Sequence, residues 1–579
     1  MTNSEIASAL QTIGDVLDLK GENPFRVRAY QRAALTITSL PRDLIDVYED
    51  GGLDALMEIP GIGKDLAAKI EELLKTGKLQ YLKDLEKEVP KGLIDVMNVE
   101  GMGPKKTKQL WQKFKIKNVA DLEKVAKSGK LEEFPGWGEK SVEKVIKAIA
   151  TKRDLGARVR INEAWDRAEE IRRILLKTKL CKQLEIAGSL RRRKETIGDI
   201  DLLATSDKPE KVMDAFCAMT HVERIIGRGP TKVSVMLKSG MQADLRVLDP
   251  EVFGAAMHYF TGSKEHNVKV RTMAQKKGIT LNEYGAFEGT AEKKGKRVAC
   301  RTEEEVFAAV GLPYIPPELR EDRGEIEAAL KGSLPDLIKE GDLKGDLHVH
   351  SDFSDGNLSM IKMAEAAKKA GLQYLAFTDH ASSMGMVGGI KDGNIEEYLT
   401  LIKAAQKAVP GIRLFAGAEV DIQPDGSLYL SDASLAKLDW VVASIHGNFN
   451  QTREEMTKRL VRAVSHPSVR LLGHPTGRLL VRRAAYEFDA EKVFAAAKKN
   501  GVAMELNASV ERLDLSDVLL RRAKETGLPI CIDSDAHGLS DFDLRFGITQ
   551  ARRGWIEKAD VINVKPLKAF ESWLRKAKG

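Results

Sequence analysis

Beyond residue 340 the chain alternates short apolar runs with amphipathic stretches. The runs are GDLHVHSDFSDG (345–356), YLAFTDH (374–380), LFAGAEVDI (414–422), WVVASIH (440–446), LLGHP (471–475), VAMELN (502–507) and PICIDSDAH (529–537). Between them lie segments such as SMIKMAEAAKKAGL (359–372), with apolar residues three and four apart. The runs read as buried strands and the intervening segments as helices. Strand and helix in strict alternation predict a β/α barrel, whose strand C-termini converge on one face. Residues 1–150 follow a helical pattern throughout, interrupted by IPGIGKDLAAKI (59–70), VEGMGPKKTKQL (99–110) and FPGWGEKSVEKV (134–145). Between these two regions, LEIAGSLRRRKETIGDIDLL (184–203) predicts a strand, a basic turn and a second strand. By alternation, TKVSVMLKSGMQADLRVL (231–248) predicts a hairpin around KSG.

Every apolar run beyond residue 340 except the sixth carries a His, Asp or Glu at or just past its C-terminal end; the sixth ends in Asn507. A barrel would therefore gather His348, His350, Asp355, His380, Glu419, His446, His474, Asp535 and His537 at one face. A single buried His is usually a satisfied core residue. Here seven of the ten His lie beyond residue 340, and six of the seven fall at strand ends. His466, which follows a helical pattern, reads as structural. Nine N/O donors exceed what one tetrahedral ion needs, so the pattern predicts two or three divalent ions; mixed His/carboxylate ligation suits Mn²⁺, Zn²⁺ or Fe²⁺. Ions a few ångströms apart with such ligands suit phosphoester hydrolysis.

In the middle region, residues i and i+2 of a strand face one side, so Asp199 and Asp201 point together. Asp244 stands on the returning strand of the predicted hairpin. Three carboxylates on neighbouring strands can hold two divalent cations, Mg²⁺ or Mn²⁺. One would activate a primer 3′-OH, the other steady a triphosphate and its leaving pyrophosphate. Ser189, Arg192 and the backbone near Gly188 and Gly198 are placed to take phosphate charge. Asp-x-Asp alone is common on surface strands; Gly-Ser followed by a basic turn and then Asp-x-Asp is the more specific nucleotidyltransferase signature.

In the helical region, Gly61/Gly63, Gly101/Gly103 and Gly136/Gly138 each permit a tight turn that aims backbone N–H groups at a phosphate from the start of a helix. Three copies, 40 and 35 residues apart, predict sequence-independent binding to a DNA backbone. Charge supports this only locally. Net charge is +7, but Lys+Arg and Asp+Glu are 24 and 24 in residues 1–150, 35 and 30 in 151–340, and 33 and 31 thereafter. Residues 101–117 carry six Lys and no acid, among them Lys105, Lys106 and Lys108. The four Cys are scattered without a CxxC, and no apolar run approaches the length of a membrane span. The expectation is a cytoplasmic protein, without a membrane.

Resemblances sharpen these expectations. The motifs HVHSDFSDG, TDH, GAE, SIH, GHP and DSDAH together resemble the polymerase and histidinol phosphatase (PHP) superfamily over 341–579, with every ligand position filled. The Gly-x-Gly segments follow the helix-hairpin-helix pattern. NPFRVRAYQRAALTI (23–37) and the first hairpin resemble the lyase domain of DNA polymerase beta. That resemblance implies Lys69 as a Schiff-base nucleophile for abasic sugars, although Asp65 stands where the family often has a second Lys. YFTGSKEHNVKVRTMAQKKGITLNEYGAF (259–287) closely resembles the thumb of family X DNA polymerases. It implies Tyr259, Phe260 and Gly262 along the incoming sugar, and Asn267 and Arg271 beside the nascent base pair. Val268 replaces a frequent Lys.

The whole order is similar to bacterial family X polymerases, which implies a prokaryotic, nucleoid-associated monomer. It implies a multidomain α+β and α/β chain: a lyase-like helical domain (1–85), fingers with two hairpins (86–155), a nucleotidyltransferase palm (156–250), a thumb (251–318), a linker (319–340) and a distorted PHP barrel (341–579). The function implied is gap filling in base excision repair with dNTPs, with a metal-dependent 3′-5′ exonuclease attached. The rivals are a template-independent nucleotidyltransferase with a small-molecule phosphatase barrel, and a non-enzymatic DNA-end scaffold.

Overall fold

The computed structural model describes residues 3–38, 44–59, 61–90, 92–97, 99, 102–132, 134, 137–138, 141–146, 148–149, 158–290, 294–382 and 388–578. Gly101 and Gly136 lie outside the described residues. The chain divides into one unit of residues 1–156 with 538–540, and a second of 157–537 with 541–579.

The first unit is helical. Its helices include Asn3–Lys20, Pro24–Thr38, Leu44–Met57, Lys64–Thr76, Gln80–Glu88, Gly92–Met97, Pro104–Phe114 and Val119–Lys127. Their apolar stripes close one shared core that includes Leu10, Tyr30, Ile70, Leu93, Leu110 and Leu122.

The second unit begins with a five-stranded sheet. Its strand order is Gln183–Ile186, Asp199–Thr205, Gln242–Leu248, Lys232–Leu237, Val222–Arg228. The Asp199–Thr205 and Gln242–Leu248 strands run parallel, and every other pair is antiparallel. Helices Ile161–Lys177 and Pro209–Cys217 bury Ala164, Ala168, Ile171, Val212 and Phe216 in the same cluster as the sheet residues Leu202, Val235 and Leu245. Next come helices Phe253–Thr261 and Lys264–Lys276, a three-stranded antiparallel sheet and helix Glu303–Ala309.

The stretch expected as a linker, 319–340, is more than a tether. Leu319, Ile326, Ala329 and Leu337 bury with Ala255, Val270, Phe307 and Ile315 in one core, while Ile338 enters the barrel core. The charge around these widely spaced apolar residues hid them in the sequence.

Seven consecutive parallel strands form the barrel: Gly345–Val349, Tyr374–Phe377, Arg413–Asp421, Trp440–Ser444, Leu471–Leu472, Ala503–Asn507 and Ile530–Asp533. A bridge from Val349 to Ala536, with His350 N donating to Ala536 O at 2.9 Å, brings the last strand back to the first. The seven expected strands are all present. Alternation explains how each strand serves both core and site. Phe415, Val442, Ala503 and Cys531 cluster with Phe570 and Leu574 of the C-terminal helix, which plugs one end. On the same faces, further along, stand Glu419, Ser444, Glu505 and Asp533.

Candidate active sites

At the strand C-termini of the barrel, Glu419 is 1% exposed and ringed by five histidines. His474 Nε2 lies 2.8 Å and His446 Nε2 3.2 Å from Oε1. His380 Nδ1, His348 Nε2 and His350 Nε2 stand 2.9, 3.5 and 3.6 Å from Oε2. Asp535 Oδ1 lies 3.1 Å from His350 Nε2, and Asp355 faces both His380 and His537 at 3.3 Å. Three sets of donor atoms converge within 4.8 Å: His350, Asp355, His380 and His537; His348, His350 and Asp535; and His380, Glu419 and His446. His350 and His380 are each shared between two sets. His474 stands outside them but is bonded to Glu419. All nine expected residues therefore meet at one face.

The electrostatics suit cations. Burial opposes ionisation of Glu419, yet His446, His348 and His380 overcome it and hold the carboxyl well below the usual range. Burial, with His537 and His380 nearby, pushes His350 down to about 3, which keeps the ring neutral, the form that binds metal. Both nitrogens of His350, Nε2 of His348 and Nδ1 of His474 are buried without a hydrogen bond. Such orphans cost free energy unless something else satisfies them. Orphaned imidazole nitrogens beside ionised carboxylates fit divalent ions.

A supporting layer fixes this set. Glu505 Oε1 holds His348 Nδ1 at 2.6 Å, and Asp421 Oδ1 holds His446 Nδ1 at 2.6 Å. Asn507 Nδ2 donates to Asp535 Oδ2 at 2.9 Å. Asp379 accepts from Ser351 N at 2.8 Å and Ser354 Oγ at 2.7 Å, which shapes the loop carrying Asp355. Sequence reasoning missed Glu505, Asp421 and Asp379. The signal for Glu505 was available: a carboxylate inside the otherwise apolar AMELN strand. His466 pairs with Asp432 at 3.1 Å, away from the cluster.

The second centre lies in the five-stranded sheet, in the region expected to be the palm. Parallel pairing sets Asp201 directly against Asp244, with Asp199 one pleat away against Gln242. Burial first, then Asp199 and Asp244, push the Asp201 carboxyl up to about 6. Asp244 stays low despite burial, because Lys232 pairs with it and Gln242 Nε2 donates at 2.9 Å. Gly188 opens a short helix, Gly188–Arg191, with φ 62°; a Cβ there would sit 2.1 Å from Asp201 Oδ2. Only glycine lets the Gly188-Ser189 turn approach this carboxylate. Ser189 and Gly198 flank the same strand ends. Arg192 donates to Thr261 O, next to Gly262, and to Glu321 at 3.1 Å. Tyr259 and Phe260 meet edge to face at 5.1 Å, and Asn267 Nδ2 holds Tyr259 O at 2.7 Å. Arg271 is half-buried on the same helix as Asn267. Also missed by sequence was a buried clamp: Glu303 pairs with Arg191 of the palm and with Arg320 at 2.6 Å.

The three Gly-x-Gly segments of the helical unit share one backbone hydrogen-bond pattern among their described residues. Ile62, Met102 and Trp137 each bury the middle side chain and donate backbone N–H three residues back, to Ile59, Val99 and Phe134, at 2.9–3.0 Å. Gly63, Gly103 and Gly138 each then accept from a backbone N–H four residues on. Lys105 is exposed and Lys106 lies over the Trp137 ring at 4.8 Å. Lys108 differs from expectation: its Nζ donates to Lys20 O at 2.5 Å, so it ties two helices together. Lys69 Nζ pairs with Asp65 at 2.5 Å between the rings of Tyr81 and Tyr30, 5.2 and 6.0 Å away.

Known proteins share these parts. Family models match a helix-hairpin-helix domain at 1–79, a SAM-like helix-hairpin-helix tandem at 93–151, the DNA polymerase beta thumb at 256–321 and a PHP domain at 346–509. The DNA polymerase/3′-5′ exonuclease PolX of Bacillus subtilis is 37% identical over 579 residues, all of both chains. The chain belongs to family X of the DNA polymerases, with a C-terminal PHP domain. A eukaryotic polymerase is also similar: rat DNA polymerase lambda is 24% identical over 346 residues, 55% of this chain and 56% of its own. The barrel has separate kin. A probable phosphatase of Thermoanaerobacter is 32% identical over 203 residues, a third of this chain and 78% of its own.

Proposed function

We propose that this chain is a template-directed DNA polymerase that fills short gaps during base excision repair, and that its barrel is a 3′-5′ exonuclease cleaning primer ends. One observation carries the reading: a palm carboxylate trio and a buried His/carboxylate cluster stand in a single chain similar throughout to a polymerase/exonuclease. Asp199, Asp201 and Asp244 would hold Mg²⁺ or Mn²⁺. The nine barrel residues would hold two or three ions of Mn²⁺, Zn²⁺ or Fe²⁺. Divalent ions there supply Lewis-acid charge to a phosphoryl group and lower the pKa of an attacking oxygen.

The protein's own residues do the rest. Gly188 and Ser189 offer a close backbone approach for a triphosphate, and Arg192 offers charge once it exchanges Glu321 for phosphate. Tyr259, Phe260 and Gly262 line the sugar, while Asn267 and Arg271 reach the base pair. The hairpin amides, with Lys105 and Lys106, grip backbone phosphates. In the barrel, Glu505 and Asp421 orient His348 and His446. Lys69, enclosed by two tyrosines, is the residue that would act as lyase nucleophile.

The test is a labelled one-nucleotide gap incubated with and without dNTPs, under Mg²⁺ and then Mn²⁺. Template-matched insertion with dNTPs and 3′ shortening without them are expected. Insertion independent of template would sink the polymerase reading. The phosphatase relatives favour one second reading, a barrel acting on small phosphate esters. Phosphate release from a phosphorylated amino alcohol, faster than from DNA ends, would establish it.

A further inference from the structure

One barrel loop joins the two halves of this unit. Residues 509–514 follow strand Ala503–Asn507 and bring Arg512 to the ligand face, where its Nε stands 3.5 Å from Asp535 Oδ2. Its side chain is 18% exposed, and Asp535 is its one ion-pair partner among the described residues. The outer edge of the guanidinium, with two parallel N–H groups, is not taken by any of them.

From behind, the palm fastens the loop. Arg478 donates to Arg512 O at 2.9 Å and to Leu513 O. The same guanidinium forks onto Glu195 at 3.1 and 2.7 Å, and Gln550 adds a bond to Glu195 at 3.1 Å. Glu195 belongs to the palm segment between Ser189 and Asp199. Arg160, also of the palm, holds Glu511 at 2.7 Å. Leu480, Leu513 and Phe546 of the barrel bury in the palm's apolar cluster. Leu513 sits at φ 41°, a left-handed conformation that persists only when its surroundings enforce it.

We propose that Arg512 is a catalytic residue of the barrel, gripping the non-bridging oxygens of the scissile phosphate, and that Arg478 and Glu195 are positioning residues through which the palm completes the exonuclease site. This rests on the phosphoesterase reading above. A phosphodiester approaching Glu419, Asp355 and Asp535 meets negative charge. A guanidinium edge supplies two parallel donors to it and to the charge that grows during attack. In the step served, water oxygen bonds to phosphorus as the bond to the penultimate 3′ oxygen breaks. That oxygen takes a proton, a nucleoside 5′-monophosphate leaves, and Arg512 keeps its proton throughout.

The experiment measures Mn²⁺-dependent release of a labelled 3′ nucleotide by the full chain, with bound metal and primer extension measured on the same preparation. No release by the wild type would defeat the exonuclease reading itself. Given an active wild type, Arg512→Ala should lose roughly 100-fold in kcat while metal content and extension stay level. Added guanidinium ion should restore part of that loss. Arg478→Lys, which keeps charge but not the fork, should lose about tenfold in kcat with KM unchanged and no guanidinium rescue, because Arg512 is still present. Arg512→Ala within about twofold of wild type overturns the inference, since removing a charge-assisted bond costs more. So does a loss that tracks missing metal, which would make Arg512 structural.

Discussion

The two candidate metal centres are built on opposite electrostatic plans. In the barrel, carboxylates and imidazoles interleave, and Glu419 stays ionised although buried because His446, His348 and His380 offset the cost of burial. In the palm, three carboxylates crowd two adjacent strands, and Asp201 is pushed up to about 6 by burial and by its own neighbours. The barrel set interleaves opposite charges, with a second layer locking His348 and His446. The palm trio is frustrated until cations and substrate arrive. A retained centre and a substrate-loaded centre are the expected consequences, matching an enzyme that must admit a new nucleotide each cycle.

The sharpest way to break this comparison is metal retention. After dialysis into metal-free buffer, the wild type should keep ions in the barrel and none in the palm; Glu419→Gln should abolish that retained metal together with 3′ nuclease activity. Equal loss from wild type and variant would erase the distinction. Next in size, Asp201→Ala should abolish nucleotide insertion while leaving retained metal and nuclease unchanged, as read on one gapped substrate. Insertion at the parent rate would remove the palm assignment.

Glu505→Gln sharpens the role of the second layer. Replacing the carboxylate behind His348 should cost about 10–100-fold in metal affinity, measured by competition with a chelating dye. A smaller effect follows in the helical unit. Lys105→Ala with Lys106→Ala should flatten the slope of log affinity against log salt by roughly 0.9 for each DNA phosphate no longer neutralised. Lys108→Ala should instead leave the slope alone and cost about 1 kcal/mol of stability, the worth of one part-buried hydrogen bond. An unchanged slope in the double variant would make those lysines a solvated face. Smallest is the lyase: borohydride should trap the wild type on an incised abasic site, and Lys69→Ala should trap less while still filling the gap. Equal trapping by both would clear Lys69.

Periodicity and residue type alone determined a good deal. A ligand after each of six apolar runs foretold a barrel face, because strand ends in a β/α barrel must converge. Asp199 and Asp201 at i and i+2 had to share a strand face, and the three Gly-x-Gly repeats foreshadowed the backbone hydrogen bonds that Ile62, Met102 and Trp137 share. These are local rules, and they survive any packing. Tertiary structure decided what depends on which distant residues meet. Only the fold set Asp201 against Asp244, placed Glu505 behind His348, turned Lys108 from the solvent to Lys20, and fixed the loop of Arg512 against Glu195 of the palm. Such pairings join residues far apart along the chain. They are chosen by the closure of cores around buried charge, which has no periodic signature in the sequence.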